Sequence, residues 1–273
     1  MGTPHRALPS NGVKTVPIKL RYAGNTHVGM KRGHNEDNLR LVPEENLYIV
    51  ADGMGGHASG EVASQLAVDT IAEFFMETSK DEDLTWPYKM EKGRTYEENR
   101  LGASIKLANL RIFETAKNDP SKHHGMGTTV VALCICGETI YVGHVGDSRV
   151  YRLRGEELHQ VTEDHSLLND YIKMKDLTEE EIENFPHKNV IVRALGMKET
   201  VQVDVCHEEP QHKDLYLLCS DGLNGMINDK AIRQIMVDNR DNLEVCIDKL
   251  IEAANNNGGT DNTTCVMVEI FKE

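Results

Sequence analysis

The residues best able to do chemistry in this 273-residue chain are carboxylates that follow apolar, strand-like runs. Asp52 follows the run LYIVA, Asp147 comes after YVGHV, and Asp221 comes after LYLLCS. Asp37 in RGHNEDN and Asp261 in GGTDNTT share the same kind of context. Burying a carboxylate without a partner costs several kcal/mol. The five together therefore predict one site where cations balance their charge.

The ligand types indicate which cations these are. Basic partners are scarce, with only Arg32, Arg149 and Arg193 in comparable motifs, and the chain has no CxxC pair that would indicate zinc. Oxygen ligands suit Mg²⁺ or Mn²⁺, and two such ions about 4 Å apart can hold a hydroxide and clamp a phosphoryl oxygen. Arg32, three residues before the Asn-Glu-Asp triplet, can bind phosphate through its guanidinium group. The residues alone predict a multi-metal site that acts on phosphate.

Composition excludes several other classes of protein. The formal net charge of −14 argues against a nucleic-acid partner, which would require a basic face. The apolar runs are strand-sized and shorter than the roughly 20 residues that span a bilayer. The N-terminal MGTPHRALPS lacks the apolar segment of a secretory signal. Cys134, Cys136, Cys219 and Cys265 lie in apolar runs, which favours buried, reduced thiols. We expect a soluble, cytoplasmic protein.

Apolar periodicity predicts the elements that position these carboxylates. Strands and helices come in blocks, which favours antiparallel sheets with helices packed outside over a doubly wound sheet. The predicted elements are strands at 18–30, 47–51, 214–220 and 262–271, helices from Gly60, over 98–118 and twice within 228–254, a β-meander over 128–162, and a partly helical polar segment at 163–190. Residues 79–97 predict a loop that Trp86 packs onto its helices. No linker divides the chain.

Five motifs in this order resemble those of the metal-dependent serine/threonine protein phosphatases of type 2C, in the form typical of the bacterial branch. They are RGHNEDN, VADGMGGH, GHVGDSR, LLCSDGL and GGTDNTT. The resemblance runs from about residue 22 to 270. It implies an α+β fold, a four-layer αββα sandwich in which two antiparallel sheets lie face to face with helices on both outer sides. The polar residues 1–16, with Pro4, Pro9 and Gly12, predict a flexible N-terminal arm, and 17–273 are then expected to form a single catalytic domain.

The resemblance assigns roles to individual residues. Asp52 would bridge two Mn²⁺ or Mg²⁺ ions, Asp147 and Asp221 would hold a third, weaker ion, and Arg32 would bind the substrate phosphate. The full set of implied metal ligands is Glu36, Asp37, Asp52, the carbonyl of Gly53, Asp147, Asp221 and Asp261. Residues 166–190 correspond to a mobile flap that tunes substrate choice and retention of the third ion.

The implied reaction is direct attack of a metal-bridging hydroxide on phosphoserine or phosphothreonine, without a phosphoenzyme. The animal branch carries a histidine directly after the Asp-Gly pair, whereas this chain has Met54. His57 or a metal-bound water remain alternative proton donors. The resemblance implies phosphoprotein substrates, a cognate serine/threonine kinase, a monomeric state, and neither nucleic-acid nor membrane partners.

Three other functions are compatible with parts of the pattern. A two-metal phosphodiesterase or nuclease would use the same ligands, but the acidic charge argues against it. A non-catalytic regulatory module would be expected to lack some metal aspartates, and none is missing. A nucleotide-binding protein could use DGMGGHASG as a phosphate loop, but this stretch lacks the GK[ST] ending.

Overall fold

The computed structural model describes residues 18–55, 59–81, 84–123, 125–175, 178, 181, 185 and 190–272. The predicted arm at 1–16 and His57 lie outside these described residues. Within them the chain forms two β-sheets in which every paired strand is antiparallel. We term them sheet I and sheet II.

The two sheets are assembled from strands that are mostly not in chain order. Sheet I has the order β1 (Ile18–His27), β11 (Thr263–Lys272), β10 (Leu215–Cys219), β7 (Arg149–Arg154) and β8 (Glu157–Gln160). Sheet II has the order β2 (Asp37–Val42), β3 (Leu47–Met54), β5 (Val130–Cys136), β6 (Thr139–Val145) and β9 (Asp204–Glu208), and the short β4 (Gly127–Thr128) pairs with the end of β3. The first and last strands of the described chain are neighbours in sheet I.

Helices cover the outer face of each sheet. On sheet II lie α1 (Ser59–Lys80) and α2 (Tyr96–Asn118), and on sheet I lie α5 (Asp221–Asn224), α6 (Asp229–Asp238) and α7 (Leu243–Asn256). The short helices α3 (Pro120–His123) and α4 (Leu167–Met174) belong to connections. None of the helices in the described ranges combines the length and apolar character needed to cross a membrane.

A third apolar layer lies between the sheets and completes the predicted four-layer sandwich. Side chains of both sheets meet there, among them Tyr48 of β3, Val131 of β5, Leu218 of β10 and Val266 of β11. Alternate residues of β3, such as Ile49, point instead to the helices of sheet II. The αββα prediction is therefore confirmed, and it explains why residues 47–51 are apolar without interruption: both faces of the strand are buried.

The connection between α1 and α2 behaves as the sequence predicts. Thr95 caps α2 and forms a capping box with Glu98, which fixes where this helix begins. The Trp86 ring lies 5.7 Å from the Phe74 ring of α1 and 5.1 Å from the Tyr96 ring of α2, measured between centroids. Trp86 thus packs the loop onto both helices.

The predicted β-meander over 128–162 is wrong, because its strands belong to different sheets. The hairpin of β5 and β6 turns at Gly137 in sheet II, whereas the hairpin of β7 and β8 turns at Gly155 in sheet I. The chain crosses between the sheets at Gly146, whose φ of 113° few residues other than glycine adopt. Strands β2 and β9 were not predicted either, since each is an edge strand with few buried side chains.

Candidate metal centre

The predicted carboxylates gather where the apolar layer between the sheets opens to solvent. On β3, Tyr48 and Val50 face this layer, and Asp52 continues the same face because side chains alternate along a strand. Asp37 lies directly opposite Asp52 in the register of β2 and β3. Sheet II therefore contributes two adjacent carboxylates to the opening.

Sheet I contributes two more carboxylates at the same place. Asp221 is the first residue of α5, directly after β10, and Asp261 shortly precedes β11. The paired ends of β10 and β11 bring these side chains together. Burial raises the pKa of both Asp52 and Asp221, and the charges of the neighbouring acidic groups act in the same direction. Several buried carboxyl groups so close together form a place where a cation is favoured.

Asp37 is the most completely enclosed of the four, with a residual exposure of 4%. Ser220 Oγ and Thr264 Oγ1, both from sheet I, donate hydrogen bonds to its Oδ2 at 2.8 and 2.6 Å. Burial raises the pKa of Asp37 to about 7, although these two hydroxyls favour the ionised form. Its other oxygen, Oδ1, is buried without a hydrogen-bond partner among the described residues.

Glu36 and Gly53 lie against each other, next to Asp37 and Asp52. The amide of Gly53 donates to the carbonyl of Glu36 at 3.2 Å, and a Cβ at Gly53 would come within 2.1 Å of the carbonyl oxygen of Gly60. No residue with a side chain fits there without movement of the backbone. The Glu36 Oε1 atom is buried and has no hydrogen-bond partner in the described structure, with His34 Nε2 at 3.5 Å.

Arg32 reaches the centre and forms an ion pair with Asp261. Its Nη2 donates to Asp261 Oδ2 at 2.6 Å, which raises the pKa of the guanidinium group. The charges of Glu36 and Asp52 act on Arg32 in the same direction. The structure thus places Arg32 beside the carboxylates, and its role in binding phosphate stays a prediction.

Asp147 lies at the side of the centre, in a cleft of about 250 Å³ that Asp221 also lines. Burial raises the pKa of Asp147 to about 7, and the charge of Asp221 adds to the effect. Its Oδ1 is buried without a partner in the described part of the chain. Arg149 in the same cleft is bound by Asp164 at 2.7 Å, and its charge offsets only part of the rise in the pKa of Asp147.

These residues fit hard divalent cations. Three buried carboxylate oxygens, on Glu36, Asp37 and Asp147, lack a hydrogen-bond donor in the described structure. The donor set consists of oxygen atoms, as Mg²⁺ and Mn²⁺ prefer, and a cation would remove the cost of burying so much like charge. The charges of four other carboxylates act on Asp52, and these are Asp37, Asp147, Asp221 and Asp261.

Comparison with known sequences identifies the family. A sequence model described as "Protein phosphatase 2C" matches residues 24–262. The chain belongs to the protein phosphatase 2C family. Relatives within this family include the serine/threonine phosphatase stp of Listeria monocytogenes, 36% identical over 251 residues that cover 89% of this chain and 93% of the relative. Protein phosphatase PhpP of Streptococcus pneumoniae is 35% identical and covers 91% of this chain and 96% of its own length.

Solved protein phosphatase 2C structures share the fold. The catalytic domain of serine threonine protein phosphatase PstP in complex with two manganese ions superposes with a TM-score of 0.77 at 33% identity, covering 94% of this chain and all of that one. A second structure of this phosphatase, from Mycobacterium tuberculosis, gives a TM-score of 0.79 at 33% identity and covers 93% of this chain and 99% of that one. The resemblance read from the motifs is thus confirmed, and so is the bacterial branch.

Three residues that support this protein phosphatase 2C site were not singled out from the sequence. Ser220 and Thr264 hold Asp37, and Asn262 accepts from the Glu36 amide at 2.8 Å while donating to two carbonyls of the 28–34 loop. Each one is within three residues of a predicted ligand. Sequence proximity could have marked them as candidates, but their actual targets lie across a sheet boundary and are invisible in the sequence.

His165 is a further residue of the protein phosphatase 2C site that sequence reasoning passed over. Its Nδ1 accepts from the amide of Gly146, next to Asp147, at 3.0 Å. Its Nε2 lies 3.1 Å from Asp204 Oδ2, and its ring stacks on His144. Burial and the neighbouring His144 lower the pKa of His165 to about 4, so the ring is neutral at pH 7. His165 thereby fixes the backbone beside Asp147.

The structure leaves the proton donor of this protein phosphatase 2C as it was predicted from the sequence. His57 lies outside the described residues, so its proposed role stays a prediction. Met54 is half-buried on the same face of β3 as Asp52 and has no ionisable group. Its thioether cannot deliver a proton.

Proposed function

We propose that this protein is a Mn²⁺- or Mg²⁺-dependent phosphatase that hydrolyses phosphoserine and phosphothreonine in proteins and opposes a serine/threonine kinase. The observation that carries the proposal is the gathering of acidic side chains from both sheets around one opening, with an arginine facing them. The acidic side chains are Glu36, Asp37, Asp52, Asp147, Asp221 and Asp261. The names of the relatives stp and PhpP support the same activity.

Two ions would be held by this set, with Asp52 contacting both and the carbonyl of Gly53 adding a ligand. Asp221 and Asp261 would serve the first ion, and Glu36 and Asp37 would serve the second. A third, weaker ion would occupy the cleft between Asp147 and Asp221. The manganese ions of the PstP complex support the count of two.

The ions, when bound, would supply an activated water for direct attack on phosphorus and would neutralise charge on the phosphoryl oxygens. The chain itself would orient the phosphate through the Arg32 guanidinium group, which can make two parallel hydrogen bonds. Residues 166–190 would act as a flap beside the site. Backbone hydrogen bonds from Leu167 to Val190 and from Val192 to His165 support this, since they tie both ends of the segment together.

The test is hydrolysis of a phosphothreonine peptide and of p-nitrophenyl phosphate with Mn²⁺, with Mg²⁺ and with EDTA. The Asp221→Asn variant should lose at least about 100-fold in activity because a ligand charge is removed from the centre. Asp238→Asn, which changes an exposed carboxylate of α6, serves as the control. Activity that persists in EDTA, or an unaffected Asp221→Asn variant, would contradict the proposal.

A further inference from the structure

A pocket of about 450 Å³ lies beside the carboxylate centre and has no part in the function described so far. Met54 forms one wall, and the segment 191–202 forms the other. This volume lies within the range of pockets that bind small ligands or single side chains of a partner. We term it the Met54 pocket.

The geometry of β3 and its pairing with β4 place the Met54 pocket close to the carboxylate centre. Met54 and Asp52 lie on the same face of β3, so their Cα atoms are about 7 Å apart. Met54 pairs with Gly127 of β4, and a Cβ at Gly127 would come within 3.1 Å of the Met197 sulfur. Backbone hydrogen bonds in both directions between Thr128 and Leu195 attach the second wall to β4. The position of the pocket relative to Asp52 is therefore fixed by the backbone.

The lining of the Met54 pocket includes exposed apolar side chains, and its charged side chains are positive. Val192 and Met197 are 46% and 52% exposed, which is high for apolar side chains and leaves their surface available to a partner. The charged residues that line the pocket are Arg193 and Lys198. Arg193 is bound to Asp204 at 2.9 Å, whereas Lys198 forms no ion pair with any described residue. Lys198 thus places a positive charge next to this apolar surface on a chain of net charge −14.

We propose that the Met54 pocket binds an aliphatic side chain adjacent to the phosphoresidue of the protein substrate, and that Lys198 pairs with an acidic side chain in the same segment. This inference rests on the proposed phosphatase function and deepens it by naming the substrate class. In an extended peptide whose phosphate lies near Asp52, the side chains one or two residues along are separated from the phosphoresidue by at most about 7 Å of backbone. This length matches the distance from Asp52 to Met54. The charge complementarity with Lys198 selects acidic over basic partners.

The test uses phosphothreonine peptides of constant length in which each of the two residues on either side of the phosphothreonine is set in turn to Leu, Ser, Glu or Lys. At one flanking position the wild-type protein should prefer Leu over Ser by about tenfold in kcat/KM. At a neighbouring position it should prefer Glu over Lys by about fivefold. Hydrolysis of p-nitrophenyl phosphate, which has no flanking residues, provides the baseline.

Two variants assign these preferences to the pocket. Met197→Ser should remove the preference for Leu, and Lys198→Glu should invert the preference between Glu and Lys. Both should hydrolyse p-nitrophenyl phosphate at the wild-type rate. Lys230→Glu makes the same charge change on α6, over sheet I, and should leave every preference unchanged.

The possible outcomes distinguish this inference from the proposed phosphatase function on which it rests. A wild-type protein that hydrolyses all peptides equally, or variants that keep the wild-type preferences, would overturn the inference and leave the phosphatase function standing. Equal losses on peptides and on p-nitrophenyl phosphate would show a structural role for Met197 or Lys198 and would also overturn it. A wild-type protein that is inactive on both substrates with Mn²⁺ and Mg²⁺ would overturn the phosphatase function itself.

Discussion

Arg32 Nη2 lies 2.6 Å from Asp261 Oδ2, so the cation proposed to hold substrate phosphate is bound to a carboxylate proposed to hold a metal ion. Both side chains are partly exposed, which limits the strength of the pair. A metal ion that binds Asp261 would compete with the guanidinium group, and Arg32 would then be free to bind the phosphate.

Replacement of Arg32 by glutamine should therefore have two opposite effects. The dissociation constant for Mn²⁺, measured by titration calorimetry, should fall about two- to fivefold because the competing cation is gone. The kcat/KM for a phosphothreonine peptide should fall about 10- to 100-fold because a charged hydrogen bond to phosphate is lost. Arg40→Gln is a matched control, since Arg40 pairs with Asp69 at 3.7 Å and is equally exposed. Unchanged metal affinity in Arg32→Gln would contradict the competition.

The raised pKa of Asp37 predicts how the metal-free protein responds to pH. In the folded state this carboxyl binds a proton up to about pH 7, whereas in the unfolded chain it releases the proton near its ordinary value of 3.8. The stability that comes from this proton is complete below the unfolded value and is lost as the pH rises through about 7. In EDTA the free energy of unfolding should thus be larger at pH 5.5 than at pH 8, by an amount on the order of 2 kcal/mol.

Urea denaturation at pH 5.5, 6.5 and 8 checks this prediction. With saturating Mn²⁺ the trend should reverse, because protons then compete with the ions for the same oxygens. Asp37→Asn has no proton to release and should reduce the dependence in EDTA, while the part that remains comes from Asp52, Asp147 and Asp221, whose pKa values are also raised. A metal-free protein that becomes steadily more stable from pH 5.5 to 8 would be inconsistent with a protonated Asp37.

Thr264 offers a way to change the support of Asp37 without changing a ligand. The Thr264→Val substitution removes the hydroxyl that donates to Asp37 Oδ2 and keeps the side-chain shape. Removal of such a supporting hydrogen bond typically lowers metal affinity about 10- to 100-fold. Calorimetry with Mn²⁺ should show this loss, while circular dichroism shows an unchanged fold. Thr115→Val, in which the exposed hydroxyl bonds only its own helix, should bind Mn²⁺ like the wild-type protein.

Gly53 tests the close packing of backbone under the centre. In Gly53→Ala the new Cβ would approach the Gly60 carbonyl oxygen to 2.1 Å, so α1 or β3 must shift. We expect a loss of about 3 kcal/mol in the free energy of unfolding, together with weaker Mn²⁺ binding. Gly33→Ala, where a Cβ meets nothing within 4 Å, should have neither effect. Equal stability of the two variants would mean that the contact at Gly53 relaxes freely.

The sequence predicted the parts of the molecule that a local pattern encodes. The strand that carries Asp52 and the strand before Asp221 were found because both of their faces are apolar, and the helices because their apolar side chains recur on one face, although the first strand continues beyond the predicted 47–51 to Met54. The clustering of the carboxylates followed from the cost of burying each of them alone. The order of the layers came from the resemblance of the motifs, not from periodicity.

What the sequence did not reveal depends on contacts between distant segments. The crossing at Gly146 looks like one more turn of a meander, because nothing in the local pattern says that the next hairpin joins the other sheet. The hydroxyls on Asp37 are 183 and 227 residues away along the chain. The Met54 pocket is formed by two segments that are distant in the sequence and that both pair with β4. Such relationships require the pairing of strands to be known first.

The side chains of the acidic centre come from both sheets, so their charges affect how firmly the two sheets are held together. Asp37 and Asp52 stand on the rim of sheet II, while Asp221 and Asp261 stand on the rim of sheet I. Above about pH 7, where Asp37 loses its proton, negative charges face each other across this rim, and the Arg32 charge next to Asp261 offsets only part of them. Without cations these charges then repel the two halves of the sandwich. Removal of divalent ions should therefore first increase the rate of amide hydrogen exchange at Gly53 and Ser220, well before the apolar layer between the two sheets separates.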